Sequence, residues 1–259
     1  MPELAEVEVY RRLAEGVVGR VVAEVVAPDD WYLKRGLTAS VAEGALTGRR
    51  IVAARRIGKL LLLETIGGPV VGLRFGMSGR LLVDGRAAVD NLVHASNREL
   101  EKWDRFALRF SGGGDLRMRD PRRLGGVELD PPEARLGPDA LTVGAAALSR
   151  LLESDAPLKA RLMDQSRLAG VGNLAADEAL WRAGLDPARP ARSLSAAERR
   201  RLHRHLRATM ADLLERGGSH TGDLMPHRQP GGLCPRDGEP LVRRAVGGRT
   251  TWSCPRHQR

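Results

Sequence analysis

The sequence predicts a multi-domain α+β chain: an N-terminal helix with a β-sandwich, then a helical domain, then a small β-hairpin carrying cysteines. Three observations carry that expectation. Short apolar runs separated by glycine-rich turns fill residues 20–128, the pattern of an all-β sandwich or barrel. Beyond Pro131 and Pro132 the composition shifts to Ala, Leu, Arg and Glu, which favours helix. Cys234 and Cys254 flank a Gly247-Gly248 pair, a hairpin turn signal. The expected divisions are 1–130, 131–222 and 223–259, within reach of a chain of 259 residues.

Each element has its own warrant. Val7, Tyr10, Leu13 and Val17 recur at helical spacing, and Gly16 and Gly19 end the run, so residues 3–16 read as a helix. Strand-like runs follow at 21–26, 51–54, 60–63, 70–73, 81–83 and 106–110. In the helical domain, Thr142, Ser154, Ser193 and Ser195 are candidate N-caps. Residues 217–233 are polar and rich in Gly and Pro, and read as loop.

Composition narrows the partners. Lys and Arg total 42 against 32 Asp and Glu, a formal charge of +10, and most of the excess is arginine, whose planar fork of donors suits phosphate. This favours nucleic acid over acidic small molecules or membrane. There is no run of eighteen apolar residues, and the start has glutamates rather than a signal core, so neither a spanning helix nor export is expected. Two cysteines in a cytoplasmic chain point to metal more than to a disulfide.

Four constellations carry chemistry. Pro2 follows the initiator methionine, whose removal leaves a free secondary amine, and Glu3 and Glu6 follow. An α-amino group titrates near 8, so a useful share is uncharged at neutral pH and can attack an aldehyde carbon. Adjacent carboxylates can move the protons. In 168–178, Gly170-Val171-Gly172-Asn173 forms a tight turn into an alanine-rich helix, a place where backbone N–H groups and the helix dipole favour an anion. Lys159 upstream is a candidate phosphate contact. Met77 between glycines, and Arg122 and Leu124 after Asp120-Pro121, are loop-tip residues suited to entering a base stack. Cys234 and Asp237, then Cys254 and His257, are pairs each with two intervening residues, sixteen residues apart. That is zinc-ribbon spacing, with His227 a competing fourth ligand.

Together these residues resemble the formamidopyrimidine-DNA glycosylase / endonuclease VIII family of base-excision repair enzymes. The match runs in order through Pro2-Glu3-Leu4, Gly58-Lys59, Gly76-Met77-Ser78-Gly79, Asp120 to Gly125, Lys159 with Leu162-Met163-Asp164, Gly170 to Asn173, and the C-terminal ribbon. The resemblance implies a bifunctional DNA glycosylase/AP lyase with a helix–two-turn–helix domain. Its partner would be damaged double-stranded DNA, bound by a cytoplasmic, nucleoid-associated monomer. Pro2 would attack C1′ and form a Schiff base, Glu3 would act as acid and base, and Glu6 would be a second acidic group. Lys59, Lys159, Asn173 and Arg249 would contact phosphates, and Met77, Arg122 and Leu124 would fill the gap in the duplex. A structural Zn2+ would hold the ribbon and Arg249. An alternative is a paralogue that binds damage or abasic sites without efficient cleavage.

The chain departs from the family pattern at four places. Ala5 stands where proline is usual, and Leu124 replaces the phenylalanine common in the oxidised-purine branch. Asp237 and His257 replace cysteines. Only sixteen residues separate Gly217 from Cys234, so the loop that closes over oxidised guanine is expected to be truncated.

Overall fold

The computed structural model describes residues 2–89 and 100–259; Met1, whose removal the sequence reading requires, lies outside them. The chain forms two compact units. One comprises residues up to Pro2 and Glu6–Glu133; the other comprises Glu3–Ala5 and Ala134–Arg259. The first helix, α1 (Leu4–Ala14), is therefore shared. Leu4 and Ala5 belong to the helical core, while Val7, Tyr10 and Ala14 belong to the sandwich core. α1 ends two residues before the expected boundary because Glu15–Val17 tighten into a 3-10 turn.

The first unit is the expected sandwich. Strands β1 (Val22–Val26), β7 (Asp104–Phe110), β8 (Asp115–Arg119), β5 (Arg80–Val83) and β6 (Arg86–Ala87) pair in that order. The second sheet is a meander of β2 (Ile51–Ile57), β3 (Leu60–Thr65) and β4 (Val71–Arg74), closed by β9 (Gly126–Leu129). All pairings are antiparallel. The alternation of inward residues explains the core: Leu61 and Leu63 of β3, Leu116 and Met118 of β8, and Phe106 and Leu108 of β7 are all completely buried in one cluster. A short helix, α2 (Ala39–Leu46), was not expected. It is capped by Thr38, whose hydroxyl accepts from Val41 N–H.

The second unit contains α3 (Ala145–Leu151), α4 (Leu158–Met163), α5 (Asn173–Ala183), α6 (Ala196–Glu215) and the hairpin β10 (Val242–Val246) and β11 (Arg249–Ser253). The hairpin is not a separate body. Trp181 of α5 packs with Leu224, Cys234, Leu241, Trp252 and Cys254 in one buried cluster, and the hairpin falls in the same compact unit as the helices. The Gly247-Gly248 turn has both φ angles positive, at 57° and 72°, as a two-residue hairpin requires. Among the described residues no helix is long and apolar enough to cross a membrane.

Of the four candidate caps only Ser195 acts as one. Its hydroxyl accepts from Glu198 N–H while Glu198 accepts from Ser195 N–H, a reciprocal capping box at α6. Arg189 also donates to Glu198, and these bonds, led by that from Arg189, hold its carboxyl down at about 2. Because the folded group releases its proton more readily than the unfolded one, its contribution is complete above about pH 4.3. It is lost as pH falls toward 2. Urea unfolding of Glu198→Gln should therefore show a midpoint below that of the native chain at pH 6, with the gap closing by pH 2.5. A constant gap would contradict this account.

Candidate active site and DNA-contact residues

The glycine turn before α5 is built around Glu3. Its Oε1 accepts from Leu174 N–H at 2.9 Å and its Oε2 from Ala175 N–H at 3.1 Å. The anion favoured at this helix N-terminus is thus a side chain of the protein itself. Both glycines follow from that docking. A Cβ on Gly172 would fall 2.1 Å from the Glu3 carboxyl carbon, and one on Gly170 would fall 2.5 Å from Leu4 Cδ1. Gly170 also has φ of +112°. Leu4 N–H in turn donates to Gly170 O at 3.2 Å. The result is a carboxylate next in sequence to Pro2, only 1 % exposed and fixed in orientation.

This geometry gives Glu3→Gln two effects. The amide keeps one acceptor oxygen and turns N–H groups toward a backbone donor, so α5 loses part of its cap, worth about 1 kcal/mol. Proton transfer by the group is lost as well. A base-release assay should fall far more than that stability change explains, while affinity for abasic-site DNA stays within about tenfold. Unimpaired base release would remove Glu3 from the chemistry.

Asn173 opens α5, and its Oδ1 is buried without a hydrogen bond among the described residues. Lys159 is fully buried, with Nζ 2.7 Å from Asp177 Oδ1, 2.8 Å from Thr251 Oγ1 and 3.1 Å from Thr250 O. Burial lowers the lysine pKa, and Asp177 opposes that shift. In the chain without DNA the Lys159 ammonium is engaged by Asp177 and β11. Asp177 also accepts from Arg228 at 2.8 Å and from Trp252 N–H at 3.3 Å. One carboxylate on α5 therefore joins α4, the 225–228 turn and β11. The signal was legible: Asp177 and Glu178 interrupt an otherwise apolar alanine-rich run. Arg249, at the start of β11, is exposed and has no ion-pair partner among the described residues. The turn before it is seated on α4, since a Cβ on Gly247 would lie 2.6 Å from Ala160 Cβ.

In the sandwich unit, Glu6 is 2 % exposed. Lys59 sits half-buried at the tip of the β2–β3 hairpin, after Gly58 with φ of +57°. The three candidate gap-filling residues lie on two loops that touch. A Cβ on Gly76 would meet Leu124 carbonyl atoms at 2.4 Å, so the Met77 turn rests on the Leu124 backbone. Asp120, fully buried, ties them together. It accepts from Ser78 Oγ, from Arg122 N–H at 3.1 Å and from Gly125 N–H at 2.8 Å. Leu124 is left 50 % exposed at the tip and Arg122 is also exposed. The neighbouring Arg123, by contrast, is turned back onto Asp29. The organising role of Asp120 was missed in the sequence, although an Asp-Pro turn is its usual setting.

Cys234, Asp237, Cys254 and His257 present ligand atoms all within 4.8 Å of one another. His227 is not part of this cluster. His257 Nε2 lies 3.3 Å from Trp181 O, which leaves Nδ1 facing the cluster, and Trp181 Nε1 donates to Cys234 Sγ at 3.3 Å. Such outer hydrogen bonds orient metal ligands. Burial pushes the Cys254 thiol up to about 11. Burial is the largest single influence on Asp237 and opposes its charge, but the hydrogen bonds from His257, Glu239 N–H, Cys234 and Cys254 together outweigh it and hold that carboxyl well below the usual range. Two sulfurs, one ring nitrogen and one carboxylate oxygen fit a tetrahedral zinc ion.

A sandwich unit with exposed loop tips, a capped helix turn and a ribbon bearing a metal-competent cluster define a DNA-repair glycosylase class of fold. Two family descriptions match the chain: formamidopyrimidine-DNA glycosylase N-terminal domain over residues 1–127, and formamidopyrimidine-DNA glycosylase H2TH domain over residues 136–224. Formamidopyrimidine-DNA glycosylase of Thermus thermophilus is 39% identical, with 98% of this chain and 97% of the relative covered. That of Cereibacter sphaeroides is 37% identical over the full length of both. A crystal structure of the MutM (Fpg) protein from Thermus thermophilus superposes with TM-score 0.80 at 36% identity, covering 99% of this chain and 98% of that one. A complex between the Lactococcus lactis protein and abasic-site DNA gives TM-score 0.83 at 25% identity, covering 99% of each chain. The chain belongs to the formamidopyrimidine-DNA glycosylase family.

Proposed function

We propose that the chain is a base-excision repair DNA glycosylase with AP lyase activity, using the Pro2 amine as nucleophile. The observation that carries this is the Glu3 carboxylate, next in sequence to Pro2 and fixed by two backbone N–H groups of α5. In the reaction, the Pro2 nitrogen forms a bond to C1′ and the bond from C1′ to the base breaks, the base leaving with a proton. Glu3 donates a proton to the sugar ring oxygen as the ring opens, giving the iminium. Loss of a C2′ proton then expels the 3′ phosphate, and a second elimination expels the 5′ phosphate. The damaged nucleotide must leave the stack, which costs a few kcal/mol. Met77, Arg122 and Leu124 fill the space vacated, and Lys59, Asn173 and Arg249 hold the backbone. Lys159 acts at one remove, by bracing β11.

The truncated segment before Cys234 argues against a closing loop over an oxidised purine, so oxidised bases that need no such loop are the favoured substrates. Borohydride trapping on abasic-site duplex tests the chemistry. A covalent adduct is expected, and specific binding without an adduct would instead identify a damage-binding paralogue.

The ribbon cluster binds one zinc ion in this reading, with Cys234, Asp237, Cys254 and His257 as ligands. The ion supplies structural closure and takes no part in bond breaking. Extraction with a chelator should lower the unfolding midpoint and weaken binding to intact duplex, both restored by added zinc. An unchanged midpoint with no metal bound would reject the site.

A further inference from the structure

We infer a second phosphate-class anion site where the C-terminal end of α5, α6 and the ribbon meet, distinct from the lesion contacts and carried by Arg201, Arg236 and His205. A cleft of about 410 Å³ lies there, lined by Arg182, Arg201, His205, Arg236, His257 and the backbone at Gly184. Among the described residues no carboxylate lines it. The charge of Arg182 is already matched by Glu178 at 2.7 Å, Asp212 at 2.6 Å and Asp223 at 2.9 Å. Arg201 and Arg236 have no ion-pair partner among the described residues, and Arg201 Nε is buried without a hydrogen bond. Arg236 is nonetheless held in place, 4.9 Å over the Trp181 ring and donating to Arg182 O at 3.4 Å.

Clustered like charges with no counter-charge raise the energy of the fold, and an anion relieves it. His205 reports the same field: burial first, then Arg204, Arg236, Arg182 and Arg201, lower its pKa. The unmatched donors approach from two elements, Arg201 and His205 from α6 and Arg236 from the ribbon, and guanidinium forks bind phosphate strongly. The site is not the one at the glycine turn. Asn173 and Ala183 are opposite ends of α5, about 15 Å apart at 1.5 Å per residue.

The test uses the full, zinc-loaded chain and inorganic phosphate, with chloride at equal ionic strength and pH as control. Phosphate should raise the unfolding midpoint and shift the His205 ring resonances saturably. Arg201→Gln should weaken both by about tenfold, the loss of a charge-assisted contact, while Arg201→Lys keeps part. A second arm separates free phosphate from a DNA backbone as the source. If the site takes phosphodiester, Arg201→Gln lowers the salt slope of intact-duplex binding by about one. If it takes free phosphate, the slope is unchanged while the His205 shift is still lost. Absence of a saturable, phosphate-specific His205 shift, or an equal shift in Arg201→Gln, overturns the site. Neither result depends on base excision.

Discussion

A chain retaining residues ahead of Pro2 will lose borohydride-trapped adduct on abasic-site DNA by about a thousandfold or more, the scale expected when a nucleophile is removed outright. The reason is local. An amide nitrogen at Pro2 has no lone pair available for C1′, and a proline offers no side-chain amine as substitute. The same chain should keep its affinity for abasic-site duplex within a few-fold, because the phosphate contacts proposed for Lys59, Asn173 and Arg249 do not involve the Pro2 nitrogen. Binding should therefore still fall steeply with added salt. Pro2→Gly, which leaves a primary amine once Met1 is removed, should weaken trapping without abolishing it. Full trapping by the extended chain would show that another nitrogen does the chemistry, and the terminal-amine mechanism would fail.

Much of this architecture was legible because its signals are local. Strands such as β3, with Leu60 to Leu63, are continuous apolar runs, and the Gly247-Gly248 turn fixes its hairpin by backbone conformation alone. The convergence of Cys234, Asp237, Cys254 and His257 was legible from spacing, since two knuckles with matched intervals meet when a hairpin joins them. What stayed hidden depends on distant partners. β8 reads Asp115-Leu-Arg-Met-Arg119, and only Leu116 and Met118 point into the core, too few to stand out from a charged loop. Thr142, Ser154 and Ser193 look like caps, yet the Ser154 hydroxyl accepts from Ala156 N–H outside any helix, and the Ser193 hydroxyl donates to Pro190 O.

The Gly170 to Asn173 turn shows the limit most clearly. Its glycines suggest a bare anion site, whereas their function is to admit Leu4 and Glu3 from the far end of the sequence. Lys159 is the same lesson with the opposite sign. Its local sequence marks only a cation, and the fold alone pairs it with Asp177, eighteen residues on.

Asp177→Leu should be among the most destabilising single changes in the helical unit, by about 3–5 kcal/mol, because it leaves Lys159 and Arg228 facing a buried void of charge. Both partners are enclosed: the Lys159 and Asp177 side chains are fully buried and that of Arg228 is 9 % exposed. The loss is not only thermodynamic. Asp177 accepts from Trp252 N–H, three residues after Arg249, so its removal frees β11 from α5 and loosens the arginine expected to hold phosphate. Affinity for abasic-site DNA should fall even at temperatures where the variant remains folded. The companion change Lys159→Met removes one of the stranded cations and should recover part of the stability, since an apolar replacement of a buried ion pair is often tolerated. It should not recover DNA affinity, because the Trp252 bond stays broken and Arg228 remains unpaired. This split separates a brace from a ligand. If Lys159 instead touched phosphate directly, Lys159→Met alone would reduce the salt slope of binding by about one; as a brace it leaves that slope unchanged while lowering the unfolding midpoint.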